Sequence, residues 1–240
     1  MYTQIAQWQA SGDARVVFLQ CYTRMTENML AGVAAGRFHD APWVTTFVHD
    51  FAHYYFVALD AYDAQMPHVP PIWREAHDLA KQPTTTVVQN LLLGVNAHIN
   101  YDLVLVLDDL LRPTWRHLEP AQRQARHADY CTVNQIIAET INCVQDDVVR
   151  PYARLMQIVD VACGPLDEWM TARLITAWRR DVWAQAIDLI TAPDKLARME
   201  IRQRTAAQAE ARVRLLVQGG VIGARTFGYP LHWLRRLKLL

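Results

Sequence analysis

The chain of 240 residues has only nine glycines, and none of them builds a Gly-rich loop of the kind that cradles phosphate, so nucleotide binding loses its usual signal. No nucleophile elbow and no paired ExxH motif occur, which argues against serine hydrolysis and ferritin-like di-iron chemistry. The four cysteines, Cys21, Cys131, Cys143 and Cys163, stand far apart with no CxxC pair. That spacing fits neither a disulfide framework nor a zinc ribbon, and predicts reduced thiols in a cytoplasmic protein. Neither sign of charge prevails, with 24 Lys and Arg against 24 Asp and Glu and no run of like charge, so nucleic acid and anionic lipid are not expected partners. The opening stretch, MYTQIAQWQASGDAR, lacks the basic start and continuous apolar centre of a signal peptide. The apolar run from Leu91 is interrupted too often to predict a membrane span. A small molecule is the partner class left open, and no feature specifies an oligomeric state.

What is present is helical periodicity. From Ala14 to about Ala35, apolar Val17, Phe18, Cys21, Met25, Met29 and Val33 recur at helical spacing, with Gly36 as the stop. A second helix is predicted from Pro42 to about Gln65, ended by Pro67. Pro70 and Pro71 open a short amphipathic piece through Lys81 that buries Ile72, Trp73, Ala76, Leu79 and Ala80. Pro83 and Pro113 bracket a long segment, Glu119 to Gly164 forms another that Pro151 should kink or split, and helices follow over about Leu166 to Thr191 and Pro193 to Gln218. The expectation is an all-α, single-domain bundle of about six to eight helices over residues 1–218. Residues 219–240 are then a Gly-rich linker and a basic C-terminal helix or tail, LHWLRRLKLL.

The densest information lies in Leu91 to Leu107, LLLGVNAHINYDLVLVL, where Asn96, His98, Asn100 and Asp102 interrupt an apolar run. Each buried hydrogen-bonding group left unpaired there would cost roughly 1–3 kcal/mol, so a polar network, a metal or a ligand should meet them. The four alternate strictly with Ala97, Ile99, Tyr101 and Leu103, which is a strand pattern. The leucine-rich segment is far longer than a strand, however, and would have no partners in a helical chain. As a helix it places His98 and Asp102 one turn apart on one face and Asn96 and Asn100 on another, with apolar residues around both pairs. Such a helix belongs at the centre of the bundle.

The run QNLLLGVNAHINYDL resembles the signature of an uncharacterised bacterial family, domain of unknown function 5995, whose members carry NAHIN followed by a short step to Asp-Leu. The Tyr55, Phe56, Ala58 and Leu59 cluster, the Pro71 and Trp73 pair, Asp129 with Asn134, and Trp183 with Ala186 fit the same family, so the likeness spans about Pro42 to Leu189. Asn90 and His77 depart from it, since the pattern has His and Phe there. The resemblance adds weight to Asn96, His98, Asn100 and Asp102 and implies no activity. The string NAHINYD is also similar to the NxHxxWD element of helical trinuclear-zinc nucleases and phospholipases C, but over one short helix only. The HxxxQPxH element and the N-terminal Trp ligand of that group are missing.

A His and an Asp at i and i+4 can ligate one metal ion, or the Asp can fix the tautomer of the His so that its other nitrogen acts as a base. His49 and His53 form another such pair on the second helix, with Asp60 two turns beyond. If that helix packs beside the central one, His98, Asp102, His49 and His53 become candidate ligands for one divalent ion such as zinc. On the enzyme reading the protein is a metal-assisted hydrolase. His98 and Asp102 ligate or orient, Asn96 and Asn100 position substrate or water, and Asp129 or Asn134 contributes from the next helix. The alternatives are a non-catalytic small-molecule binder anchored on the same cluster and a structural protein whose network fixes helix register.

Two further patterns stand apart from that cluster. Asp108-Asp109-Leu110-Leu111-Arg112-Pro113 is echoed by Asp146-Asp147-Val148-Val149-Arg150-Pro151, a spacing that suits Asp-to-Arg pairs at i, i+4 before a proline and, less completely, paired acidic sites for magnesium diphosphate. Trp169, Trp178 and Trp183 share one long helix at spread angles, as core packing requires, while Arg179, Arg180 and Asp181 between the last two offer an Arg that could stack on Trp beside a ligand anion.

Overall fold

The structure is a computed structural model that describes residues 1–144 and 168–223. Among the described residues it is all-helical, with no strand: α1 (Tyr2–Ser11), α2 (Val16–Ala34), α3 (Ala41–Asp63), α4 (Pro71–Ala80), α5 (Val87–Trp115), α6 (Pro120–Val144), α7 (Glu168–Thr191) and α8 (Lys195–Gly223).

Local chemistry sets several of these boundaries. Helix α2 closes in a Schellman turn, where Gly36 takes φ 70° and Arg37 N–H reaches back to Gly32 O at 3.1 Å. Asp40 caps α3 by accepting from Trp43 N–H at 2.9 Å. Thr86 and Gln89 form a reciprocal capping box that starts α5. Pro71 occupies the first turn of α4, as predicted, and Ile72, Trp73, Ala76 and Ala80 are buried together with His77, while Leu79 is half-buried.

Three boundaries differ from expectation. The N-terminal segment forms α1, whose Ile5 and Trp8 are buried against α2. Pro113 does not end α5, which runs on to Trp115, because a proline in a last turn removes only one backbone hydrogen bond. Helix α8 continues past Gln218 to Gly223, since glycine costs a helix about 1 kcal/mol per residue without forbidding it. Pro151, the second Asp-Asp-x-x-Arg-Pro cluster and the basic tail lie outside the described residues.

Helix α5 is the axis, in contact with α2, α3, α4, α7 and α8. Over its 29 residues it is long and apolar enough to cross a membrane, contrary to the reading of Leu91 onward as too interrupted. Of its most apolar window 72% is buried, so other helices of this chain cover that surface. Two apolar cores meet along it. The first gathers Trp8, Phe18, Tyr55, Trp73, Leu93 and Ala97 with Ala209 and Val213 of α8. The second gathers Met29, Phe47, Leu103, Leu107, Ile136 and Leu189. Full burial of each such leucine contributes about 1.5–3 kcal/mol.

Between the cores, His98–Asp102 is a π-helical segment, with Leu103 N–H bonded to His98 O. The alternation that reads as a strand is therefore accommodated by a largely buried helix that carries one extra residue in its turn. One π turn shifts the register of the faces before and after it, so each half of α5 addresses its own core.

Gly94, one turn before the π segment, sits against the Phe18 ring; a Cβ there would stand 2.5 Å from ring carbons. Gly94→Ala is expected to lower stability by about 1–3 kcal/mol through overpacking, read as a fall in the denaturant midpoint at unchanged m value. An unchanged midpoint would contradict this packing.

Candidate functional site

At the junction of the two cores His98 Nδ1 lies 3.0 Å from Asp102 Oδ2, and Trp73 Nε1 of α4 donates to the same oxygen at 2.9 Å. All three side chains are buried. Indole N–H is a donor only, so Oδ2 acts as an acceptor. With Asp102 ionised, this pattern puts the proton on His98 Nδ1 and leaves Nε2 as the lone-pair nitrogen. Nε2 is buried and has no partner among the described residues.

Aromatic rings enclose the imidazole. Phe51 of α3 stacks flat on it, with centroids 3.6 Å apart and planes 4° from parallel. Tyr22 meets it edge-on at 4.4 Å, and Phe18, Tyr55 and Trp73 complete the box at about 6 Å. Along α3 the stack continues through Phe47 to Trp43, every fourth residue, with the Arg126 guanidinium 4.8 Å from the Trp43 ring. Phe51 is half-buried, so it stands between the imidazole and the outside.

The asparagines face away from this box. Asn100 Nδ2 donates to Asn96 Oδ1 at 3.0 Å, and Asn96 Nδ2 donates to Ala209 O of α8 at 3.0 Å. Positions 96 and 98 lie about 200° apart on a helix, so one polar pair is presented to α8 while the other faces α2, α3 and α4. The four residues singled out by sequence are thus neighbours on one helix but form two separate networks.

The remaining predicted site residues are not brought to His98. His49 and His53 are exposed, because Phe51 and Tyr55 occupy the face of α3 turned to α5 and residues two positions away point outward; Asp60 is exposed as well. Asp129 accepts from the backbone N–H groups of His39 and Asp40 at 2.7 and 2.9 Å, tying α6 to the start of α3. Asn134 Oδ1 accepts from Arg179 Nε at 2.7 Å. The expected ligand set of His98, Asp102, His49 and His53 is therefore not assembled. Among the described residues no three of His, Cys, Asp and Glu are placed to hold a metal ion. One free nitrogen falls short of the three protein ligands typical of a catalytic zinc.

Asp108 is fully buried and accepts from Arg198 at 2.7 Å and Arg202 at 3.2 Å, with Arg112 at 3.4 Å in the expected i, i+4 pairing. Asp109 accepts from Tyr54 Oη at 2.5 Å. Arg179 is buried over Tyr130, 4.1 Å from the ring, rather than stacked on a tryptophan; Trp178 is covered and Trp183 half-buried.

Burial pushes the His98 imidazole below its ordinary pKa, with the Asp102 carboxylate opposing, and pushes the Asp102 carboxyl up, with His98 and Trp73 opposing. His77 of α4, stacked on Trp73 at 5.3 Å, is driven down to about 3, first by burial and then by the charges of Arg15 and Lys81. Because its folded pKa lies below the unfolded value of about 6.5, unfolded chains bind the extra proton and the folded state loses stability as pH falls from 6.5 toward 3. His77 alone should account for about 2 kcal/mol lost between pH 6.5 and 5. His98 acts in the same direction and Asp102 in the opposite one. The stability difference between parent and His77→Phe should therefore shrink or invert by about that amount on going from pH 7.5 to pH 5 in urea unfolding. A difference independent of pH would show that His77 is not held neutral.

Sequence reasoning missed the box itself. Its clearest signal is the spacing of Trp43, Phe47, Phe51 and Tyr55, an aromatic stripe at every fourth position of α3. No curated protein and no solved structure is significantly similar to the chain. The family model described as "Family of unknown function (DUF5995)" matches residues 1–219, covering every element that builds the box, and the chain belongs to that family.

Proposed function

We propose that the protein binds a small organic molecule over the His98–Asp102 pair, with a hydrogen-bond donor of the ligand delivered to His98 Nε2. The observation that carries this reading is the buried Nε2 without a partner on an imidazole whose other nitrogen is fixed. An acceptor left so costs roughly 1–3 kcal/mol, which a ligand donor offsets. The π-helical turn supports the same reading, since such turns recur at functional sites. Phe51, half-buried and flat on the ring, is the part of the wall that a ligand displaces. One oriented nitrogen suffices to anchor an organic ligand, whereas metal-assisted hydrolysis needs further ligands that the described residues do not supply. A cytoplasmic setting is part of the proposal and is supported by Cys21 and Cys131, both free thiols.

A structural role has its own support in the other network. Asn96, Asn100 and Ala209 O bond to one another and tie α5 to α8. In this reading the asparagines fix helix register and only the histidine face takes the ligand.

Native mass spectrometry decides between these readings, using protein purified without chelator or metal-affinity resin beside a His98→Phe, Asp102→Leu variant checked for helicity. The parent should carry the mass of an organic molecule that denaturation releases, and occupancy in the variant should fall at least about tenfold. No added mass in the parent, with a destabilised variant, would leave the structural role alone. Metal in the parent and none in the folded variant, by elemental analysis of the same samples, would replace the proposal with a metal site.

A further inference from the structure

A second buried place for a guest shares Phe18, Tyr55 and Trp73 with the His98 box and rests on different polar atoms. A narrow, partly open pocket between α2, α3, α4 and α5 is lined by Arg15, Phe18, Tyr55, Trp73, His77 and Asn90. Two polar atoms of its lining residues, Tyr55 Oη and His77 Nε2, are buried and have no partner among the described residues. Tyr55 is 0% exposed and His77 4%. Their rings flank Trp73, with centroids 5.1 and 5.3 Å from it.

The Arg15 guanidinium and the Asn90 amide nitrogen of the lining are engaged. Arg15 bonds to Asp13 through Nε and Nη2 and to Asp63 through Nη1 at 2.6 Å, and Asn90 Nδ2 donates to Ala14 O at 2.5 Å. The two carboxylates, Asp13 and Asp63, stand against the positive charges of Arg15 and nearby Lys81, and the imidazole is neutral because burial and those cations hold its pKa down to about 3. No net positive charge is left to select an anion, and the Arg15 guanidinium repels a cation. A phenol hydroxyl both gives and takes a hydrogen bond, while a neutral imidazole nitrogen does one or the other according to its tautomer. The enclosed space is about that of a single water.

We propose that this pocket is a binding site for a small neutral guest that both donates and accepts a hydrogen bond, bridging Tyr55 Oη and His77 Nε2. The guest is a water molecule or the hydroxyl or amide end of a small organic molecule whose remainder lies at the opening. Buried polar groups without partners cost more than the apolar side chains of similar shape that could replace them, so their pairing on one pocket points to a guest that satisfies both.

Thermal unfolding at pH 8 of Tyr55→Phe, His77→Phe and the double variant tests this. With a bridging guest, each single variant should melt about 2–4 °C below the parent, and the double variant should lie no lower than the less stable single one, because the bridge is lost once. If no guest is shared, the single variants will melt at or above the parent and their shifts will add, which overturns the proposal. Should His77→Phe fail to fold, His77→Gln takes its place in the same cycle. Acetamide then separates the two sources. A rise in parent melting temperature that the double variant does not show identifies an organic amide or hydroxyl guest, while a non-additive cycle without an acetamide effect identifies water.

Discussion

One carboxylate oxygen organises the centre of this molecule. Asp102 Oδ2 is buried where no lysine or arginine among the described residues pairs with it, and it is held by two neutral N–H donors, the His98 imidazole and the Trp73 indole. Breaking either bond would leave a buried acceptor underpaired, so α4 and α5 are locked at this level and the imidazole cannot turn. The same oxygen decides which nitrogen of His98 is free. The ligand reading of His98, the flat stack of Phe51 and the position of Trp73 in both buried sites all depend on that contact.

A second buried aspartate six residues along the same helix shows the contrasting solution. Asp108 is met by guanidinium groups from Arg198 and Arg202 of α8 and by Arg112 of its own helix. Arg198 also donates to Leu189 O at the end of α7, so this carboxylate fastens three helices together. A carboxylate surrounded by cations is committed to holding structure. The Asp102 carboxylate, surrounded by neutral donors, passes its influence through an imidazole to an atom that still has a free lone pair. Sequence spacing alone treats the two aspartates alike, as i, i+4 partners of a base; the surroundings separate them.

The legible part of the fold was whatever short-range periodicity encodes. The boundaries of α2 and α4, the central burial of α5 and the helical rather than extended state of Asn96 to Asp102 follow from repeat spacing, proline placement and segment length. The His98–Asp102 contact was legible for the same reason, because four residues apart on a helix is a contact distance. What neighbours the pair was not legible. Trp73, Phe51 and Tyr22 come from three other helices, and the choice among the faces of α3 depends on which stripe is buried. The aromatic stripe and the His49–His53 pair lie on different faces of α3, and only the aromatic stripe has apolar area enough to drive burial. The metal set required the reverse orientation. His77 and Asn90 also acquire meaning only in three dimensions, where they line one pocket.

The π turn shows why the polar residues sit at this height in the bundle and not elsewhere. In an unbroken α-helix a residue buried toward α2 before the turn would continue to direct its stripe toward the same neighbours after it. The extra residue between His98 and Asp102 rotates the stripe, so that Leu93 and Ala97 serve the first core and Leu103 and Leu107 the second. At the changeover neither core can close around α5 with apolar side chains of regular spacing. That gap in regular packing is where polar side chains cost least, since each can be met by a neighbour from one core or the other. His98 draws its box from both, with Phe18, Tyr22, Tyr55 and Trp73 from the first and Phe51 from the second. A relative motion of the two cores would therefore change the contact between Phe51 and the imidazole before it disturbed the Asp102 bonds. Phe51, flat on the imidazole and edge-on to Tyr22, is thus where the second core meets the first at His98.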